Sequence, residues 1–179
     1  RNFADISISL LVGSDGSRVE GNYTGVSRDG LTARGGGISV YSSGNTIGGV
    51  TEAARNVTTG IYVTGSTNTI IGNHVGVTAD GTLALAGMST ISGGVQVTDG
   101  ADNRIGGMQE GEFNVIGGVQ KFSGENFGAG VFIGGGNFAG TPLRTVVAGN
   151  RIGTNREGNA AIPNGVGVQL SNMETDEAT

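Results

Sequence analysis

Two stretches of the chain, "NTIGGVTEAARNV" at residues 45–57 and "NRIGGMQEGEFNV" at residues 103–115, decide the fold. They share the pattern N-x-I-G-G-x-x-E-x-x-x-N-V and begin 58 residues apart. A motif that returns unchanged over such a distance indicates a chain built from repeated structural units. The segments on either side of the two stretches should therefore repeat as well.

A short strand pattern does recur along the chain. It reads apolar, any residue, apolar, and a glycine usually precedes it. It is found at residues 5–8, 37–40, 60–63, 94–97, 130–133 and 167–170. Alternation with a period of two predicts half-buried strands whose β-branched side chains point inward.

Two kinds of connection alternate between the predicted strands. The N-x-I-G-G motif follows the second and fourth strands, and a G-N-x-x-G motif follows the first, third and fifth. An acidic residue and a glycine come after each G-N motif. These pairs are Asp29-Gly30, Asp80-Gly81 and Glu157-Gly158. The repeating unit is therefore two coils long, with units at about 5–59, 60–129 and 130–179.

These repeats predict an all-β fold, a right-handed parallel β-helix of about six coils in a two-coil super-repeat. Helical repeats need amphipathic runs with few glycines, which this sequence lacks. In a solenoid each coil stacks on the previous one, so equivalent positions need the same chemistry. We expect a single β-helix domain over residues 1–179, and a fragment of a longer solenoid because neither terminus resembles a cap.

The motifs resemble those of the right-handed parallel β-helix repeat proteins, which are large secreted or cell-surface bacterial polypeptides. The resemblance extends from about Arg18 to Gln169 and implies an extracellular location. It implies no single activity, because the fold also carries polysaccharide lyases, glycoside hydrolases, phage tailspikes and adhesins. The chain departs from the family pattern at Tyr23, at His74, in longer loops at 82–93 and 119–143, and in its sixth coil, which lacks N-x-I-G-G.

Composition excludes several classes of partner. The net charge is −5 without a cluster of lysine or arginine, whereas nucleic-acid surfaces are basic and clustered. No apolar run approaches the roughly 18 residues of a membrane-spanning helix. The absence of cysteine excludes disulfides and thiolate chemistry. We expect no nucleic-acid partner, no membrane insertion and no cofactor.

Glycine and asparagine in the motifs fit a structural role. The glycines of the two I-G-G motifs, Gly48, Gly49, Gly106 and Gly107, are predicted to supply positive φ at corners. Asparagine tolerates left-handed turns, and its amide can bond to neighbouring backbone or along a ladder of equivalent residues. A phosphate loop is not indicated, because G-x-x-x-x-G-K-[ST] does not occur.

Glu52 and Glu110 share one repeat position, two coils apart. Two strand spacings would separate them by roughly 9–10 Å, near the limit at which paired carboxylates act as acid and base. The alternative is a pair of solvated turn residues, with Arg55 as a surface partner of Glu52.

The other polar candidates also favour structure over chemistry. His74 is the only histidine and is expected at the exterior or at a corner. Asp99 and Asp102 are expected in a turn rather than as calcium ligands. No catalytic residue and no metal site is predicted.

An aromatic cluster breaks the repetition in "KFSGENFGAGVFIGGGNF", which contains four of the six phenylalanines. Phe132 takes the outward position of its strand, equivalent to Tyr62 and Gln96. Outward aromatic side chains can stack on sugar rings or contact a protein; alternatively the loop folds back over Phe132 as a satellite core. The candidate ligand-binding residues are Tyr62, Gln96, Phe132, Phe122 and Phe127.

Two functions are compatible with these observations. The first is a structural or adhesive segment of an extracellular or cell-surface bacterial protein, with a polysaccharide or another copy of the solenoid as partner. The second is a carbohydrate-active or carbohydrate-binding module of the lyase or hydrolase type. Only 14% of the residues are charged, so we expect no catalysis. Ice or mineral binding is a weaker hypothesis, because the threonines do not form an even T-x-T array.

Overall fold

The computed structural model describes residues 8–88, 94–120, 128–135 and 142–171, which are nearly all-β with one short 3-10 helix at Glu52–Ala54. The first eight strands are β1 (Ile8–Leu10), β2 (Arg18–Val19), β3 (Tyr23–Thr24), β4 (Ile38–Val40), β5 (Thr46–Gly48), β6 (Val57–Thr58), β7 (Gly60–Val63) and β8 (Thr69–Ile71). The next eight are β9 (His74–Val75), β10 (Gly94–Val97), β11 (Arg104–Gly106), β12 (Val115–Ile116), β13 (Ala129–Gly134), β14 (Val146–Ala148), β15 (Arg151–Ile152) and β16 (Val166–Ser171).

The strands form three parallel sheets, which the chain visits in a fixed order. Sheet A has the strand order β1-β4-β7-β10-β13-β16, sheet B the order β14-β11-β8-β5-β2 and sheet C the order β15-β12-β9-β6-β3. We call each passage through sheets A, B and C a round, so that β1–β3 form round 1 and β13–β15 form round 5. This arrangement is consistent with a parallel β-helix.

All three sheets contribute to one apolar core. In sheet A, the aligned residues Ile38, Ile61, Val95 and Val131 are at most 2% exposed. Burial of such a side chain stabilises the fold by about 1.5–3 kcal/mol. The other sheets supply buried residues such as Ile47 and Val75. The predicted inward direction of the β-branched residues is thereby confirmed for β4, β7, β10 and β13.

The predicted alignment of the first strand was wrong by two residues. Ile8 pairs with Ile38 and Leu10 pairs with Val40, whereas the sequence pattern had placed Ile8 opposite Val40. The run from Ile6 to Leu10 alternates throughout, so periodicity alone does not distinguish the two registers. Residues 5–7 lie outside the described residues.

A ladder of asparagine side chains connects the rounds at the corner between sheets B and C. Its members are Asn22, Asn56, Asn73, Asn114 and Asn150. Each Nδ2 donates a hydrogen bond to the Oδ1 of the next member, over 3.1, 2.9, 3.0 and 2.9 Å. Asn73 also donates to the backbone carbonyls of Ile47 and Ile71. Buried amides cost free energy unless they are hydrogen-bonded, and the predicted ladder is confirmed.

The first glycine of each I-G-G motif makes room for this ladder. Gly48 and Gly106 have φ angles of 85° and 78°, as predicted. An added Cβ at Gly48 would overlap the amide of Asn73, and one at Gly106 would overlap that of Asn150. The motif therefore carries glycine because the asparagine of the next round occupies the space.

The second glycine of each I-G-G motif is required for a different reason. Gly49 and Gly107 do not have positive φ, so the prediction was wrong for these two. An added Cβ at Gly49 would lie 2.7 Å from the Cβ of Ala54, and one at Gly107 would overlap the carboxylate of Glu112. In both places the following loop folds back onto the glycine and leaves no space for a side chain.

Alternate rounds carry a longer corner between sheets B and C. Asn45 and Asn56 of round 2 are 11 positions apart, whereas Asn68 and Asn73 of round 3 are 5 apart. Round 4 is as long as round 2 at this corner. We call residues 49–55 insertion loop 1 and residues 107–113 insertion loop 2. The N-x-I-G-G and G-N motifs were interpreted as different connections, but the asparagines that close the longer motif, Asn56 and Asn114, belong to one ladder with those of the G-N motifs.

Rounds 1, 3 and 5 instead carry a hairpin after sheet C. Antiparallel bridges close hairpin 1 (26–33), hairpin 2 (77–84) and hairpin 3 (154–161). The glycines of the predicted acidic–glycine turns have φ angles of 69°, 72° and 75°. The hairpins stack, since the N–H of Ala79 donates to the carbonyl of Gly30 and that of Arg156 donates to the carbonyl of Gly81.

Each turn glycine lies against the first side chain of the preceding sheet C strand. The pairs are Gly30 with Tyr23, Gly81 with His74 and Gly158 with Arg151. Tyr23 and His74, which depart from the family pattern, therefore fill the same space beneath their hairpins. Of the two predicted places for His74, the exterior was wrong because the residue is 1% exposed, whereas it does begin β9 directly after the corner residue Asn73.

Candidate functional site

The predicted ligand-binding residues of sheet A lie side by side on its outer face. Tyr62 pairs in register with Gln96, and Gln96 pairs with Phe132. All three are partly buried, and they alternate with core residues such as Val95 and Val131. Adjacent strands are about 4.8 Å apart, so the three side chains form one continuous row. Phe122 and Phe127 lie outside the described residues.

Tyr62 is held in place by two neighbours. Its ring centroid is 6.1 Å from that of Tyr41, with the planes tilted by 59°. The Oγ1 of Thr98 donates a hydrogen bond to the hydroxyl oxygen of Tyr62 over 2.8 Å. Tilted aromatic pairs at this distance attract each other beyond their burial alone. Tyr41 extends the row and was missed from the sequence, although it continues the alternation of β4 by one step.

Phe132 is partly covered within its own strand. An added Cβ at Gly134 would lie 3.0 Å from the tip of the Phe132 ring, so the ring lies along the strand over the glycine. Gln169 is its register partner in β16. The ring is partly accessible, which leaves both predicted roles open, a recognition surface and a satellite core.

A second candidate site is a cleft of about 160 Å³ beside β9. Insertion loops 1 and 2 form two of its walls, and hairpin 3 contributes Arg156. The cleft opens at round 3, where the chain has no insertion of its own. Its charged and titratable lining consists of Glu52, Arg55, His74, Glu110 and Arg156. The alternation of long and short corners thus creates a concave site on one side of the molecule.

Arg55 is a buried cation in this cleft. Its side chain is 12% exposed, and its Nε is buried without a hydrogen-bond partner. Its Nη1 donates to Oε1 of Glu52 over 3.4 Å. Burial lowers the pKa of Arg55, and repulsion from Arg156 lowers it further. The predicted pair with Glu52 is present, although the Arg55 side chain is largely buried and only that of Glu52 is exposed.

Glu52 connects the two arginines through long contacts. Its Oε1 lies 3.4 Å from Nη1 of Arg55 and 3.9 Å from Nη1 of Arg156. The Glu52 side chain is 79% exposed. Exposed ion pairs of this kind contribute only about 0–1 kcal/mol, since solvent screens them. The Glu52 carboxylate can therefore leave the arginines at little cost.

His74 is neutral in this setting. Its Nδ1 lies 3.1 Å from the backbone carbonyl of Thr78, and a carbonyl only accepts, so Nδ1 carries the proton and Nε2 has a free lone pair. Burial lowers the pKa of His74 to about 4, and the charge of Arg55 is the second cause. The imidazole therefore supports hairpin 2 as an uncharged group at neutral pH.

The two repeated glutamates lie on the opposite insertion loops of this cleft. Glu52 and Glu110 both line it, and Glu110 is exposed. The two glutamates, which share one repeat position, therefore lie on two walls of the same cleft. From the sequence, these two carboxylates were named, Arg55 was considered only as a surface partner of Glu52, and Arg156 was not considered.

The remaining acidic candidates are turn residues, as predicted. Asp102 has a φ of 60° and receives two hydrogen bonds from Arg144, each of 2.7 Å. The Arg144 side chain holds the pKa of Asp102 below its ordinary value. The Asp99 carboxylate accepts from the backbone N–H of Gly100.

In the described part of the chain, no three histidine, cysteine or acidic side chains come together as metal ligands. In the same residues, no helix has the length and apolar character to cross a bilayer.

Comparison of the chain with protein families, with curated proteins and with solved structures gave no match.

Proposed function

We propose that the protein is a structural or adhesive segment, a right-handed parallel β-helix of about six coils whose coils form a two-coil super-repeat. The A–B–C order of the sheets supports this, since parallel crossovers in one direction are right-handed in almost all proteins. The asparagine ladder supports rigidity, because it connects rounds 1 to 5 with hydrogen bonds. The family resemblance of the motifs supports an extracellular or cell-surface location.

One observation carries the structural role. At β16 the inward-facing apolar residues of sheet A become exposed. Val168 is 45% and Leu170 is 73% exposed, whereas Val131, the register partner of Val168, is fully buried. Parallel strands with an apolar face and unpaired backbone groups are suited to add a further strand of the same kind. We therefore expect this end to pack against another β-helix, and a second copy of the chain is the simplest partner.

Sedimentation velocity over a range of concentrations tests this proposal. The wild-type protein should self-associate, and Leu170→Glu should shift it to monomers because a charge at the end face opposes burial. Met108→Glu is the matched control, since Met108 is 82% exposed on insertion loop 2, away from the end face. A protein that stays monomeric at every concentration, or that dissociates equally in both variants, would contradict the proposal.

A second candidate function is carbohydrate binding along the outer row of sheet A. The row of Tyr62, Gln96 and Phe132, extended by Tyr41, supports it because aromatic faces spaced along a sheet can stack on sugar rings. Affinity electrophoresis in gels containing neutral or acidic polysaccharides should show retardation that Tyr62→Ala and Phe132→Ala remove. Tyr23→Ala serves as control because Tyr23 is 51% exposed on sheet C. Unretarded wild-type protein would exclude this function for the polysaccharides used.

A further inference from the structure

The cleft between the insertion loops contains a cation that its own neighbours leave underpaired. Among the described residues, the Arg55 guanidinium makes one hydrogen bond, of 3.4 Å, and its Nε is buried without a partner. A largely buried cation gains stabilisation from each further partner that reaches it. Because protein atoms enclose Nε, a ligand in the cleft can reach Arg55 only through its Nη groups, the side on which Glu52 lies.

The charges around Arg55 restrict which ligand can pair with it. Arg156 adds a second guanidinium within 3.9 Å of the same Glu52 oxygen. Glu52 and Glu110 balance the two arginines, and His74 is neutral. When the Glu52 carboxylate turns into solvent, a ligand with one negative charge can take its place beside the two arginines. A dianion such as phosphate would carry excess negative charge and would be repelled by Glu52 and Glu110.

The size and walls of the cleft restrict the ligand further. A volume of about 160 Å³ is below the roughly 300–1,000 Å³ of sites for drug-sized ligands, so a small molecule is required. Phe113 and Val50 contribute apolar surface to the lining. The guanidinium of Arg151 lies 5.6 Å from the Phe113 ring centroid and fixes this wall from the other side. A short apolar chain fits such a wall.

We propose that this cleft binds a small monocarboxylate, whose two oxygens replace the Glu52 carboxylate on Arg55 and Arg156. The acid group pairs with the Nη groups of Arg55 and Arg156, and its short apolar tail lies against Phe113. Glu52 acts as an internal competitor that occupies the arginines when the ligand is absent. This site is separate from the outer row of sheet A and from the end face at β16.

NMR spectroscopy of the arginine side chains tests the proposal directly. The Arg55 Nε–H signal, assigned by its loss in Arg55→Lys, is followed while sodium propionate is added at constant ionic strength. Pairing at the Nη groups alters the whole guanidinium, so we expect a saturable change of this signal with propionate and no saturable change with propionamide, which has the same shape without the charge. Inorganic phosphate should bind more weakly than propionate.

Two variants separate ligand binding from a structural role of the arginines. Glu52→Gln changes an exposed side chain and removes the competitor, so propionate should bind about fivefold or more tightly, a difference of about 1 kcal/mol. Arg156→Gln should weaken propionate binding about tenfold. Arg18→Gln is the control, because Arg18 is exposed and pairs with Glu20 elsewhere on the surface.

Three results would overturn the proposal. The first is an Arg55 signal that does not saturate with propionate up to about 0.1 M, an affinity too weak for a built site. The second is a Glu52→Gln protein that binds propionate no more tightly than the wild type. The third is equal binding of propionamide or of phosphate, which would assign the cleft to another ligand class.

Discussion

The only histidine of the chain connects two layers of the molecule through one side chain. His74 begins β9, and its ring lies between the sheet and the turn of hairpin 2, where Gly81 contacts it. Tyr23 and Arg151 have the same place in rounds 1 and 5. A planar or flat-ended side chain fits there, but only the histidine changes its charge between pH 4 and 7.

Stability should therefore fall with acid in a window that belongs to His74. Its folded pKa of about 4 is below the unfolded value of 6.5. The stabilisation by the neutral ring is thus fully present above pH 6.5 and is lost as the pH falls from 6.5 to about 4. The loss of unfolding free energy should reach about 3 kcal/mol, because each unit of difference between the folded and unfolded pKa contributes about 1.36 kcal/mol. Urea unfolding at pH 7, 5.5 and 4.5 measures it.

A variant without a titrating group provides the control. In His74→Asn the side-chain amide retains a donor for the Thr78 carbonyl, and stability should stay nearly constant from pH 6.5 to 4.5. Asp29, Asp80 and Asp102 have lowered pKa values, so their contributions are lost only below about pH 4. Equal slopes for the wild type and the variant in the upper window would show that His74 does not cause the loss.

At the scale of elements, the strands of sheet B are coupled to the asparagine ladder of the next round. The last residue of β5 and of β11 is the first glycine of an I-G-G motif, and each lies against an asparagine amide. The ladder therefore requires glycine at the ends of these strands. This requirement has two parts, the positive φ and the close approach, which can be measured separately.

Gly106 and Gly153 form a matched pair for this measurement. Their φ angles are 78° and 79°, but an added Cβ would meet Asn150 and the Ala148 carbonyl at Gly106 and nothing within 4 Å at Gly153. Gly153→Ala should cost about 1 kcal/mol of unfolding free energy for the backbone angle alone. Gly106→Ala should cost about 2–5 kcal/mol, because overpacking is added. Equal losses in urea unfolding would mean that the ladder contact does not require glycine.

The elements that the sequence predicted are those whose signal repeats. The strands from β4 to β16 in sheet A and the acidic–glycine turns recur with little change, so local pattern was sufficient. The equivalence of Asn56 and Asn73 was hidden, because one corner spans 11 residues and the other 5. A shift of two residues in β1 was also invisible, since alternation continues through Ile8.

The cleft could be predicted only in part for a related reason. Glu52 and Glu110 were visible because they repeat. Arg55 does not repeat, since Phe113 takes its place in the second motif, and Arg156 comes from a hairpin about a hundred positions further along. Stacking of rounds brings these residues together, and the burial of Arg55 depends on that stacking rather than on its local sequence.

At the scale of the whole molecule, strand pairing connects each round only to its neighbours. Within each sheet, a strand pairs only with the strands of the rounds directly before and after it. In such an arrangement stability is approximately a sum of rounds and of the contacts between neighbouring rounds. Among the described strands, those of inner rounds have two neighbours, whereas β1 and β16 have one each. Unfolding should therefore begin at the ends.

Hydrogen exchange measured by mass spectrometry should reveal this gradient. Amides of β7 and β10, whose inward residues Ile61 and Val95 are at most 2% exposed, should be the most protected. Protection should decrease toward β1 and β16, because local opening at an end breaks fewer contacts. Equal opening free energies in all strands would instead indicate that the molecule unfolds as one cooperative unit.

Val131 and Val168 test whether the gradient comes from the packing of neighbouring rounds. The two residues pair in register, but Val131 is fully buried and Val168 is 45% exposed. Val131→Ala should lower the protection of β10 and β13 by about 2 kcal/mol, the cost of a cavity in a packed core. Val168→Ala should change protection by less than about 0.5 kcal/mol in dilute, monomeric protein, as expected for a surface position. If Val168→Ala costs as much as Val131→Ala under these conditions, the end face at β16 is packed within the single chain, and its exposure could not drive association.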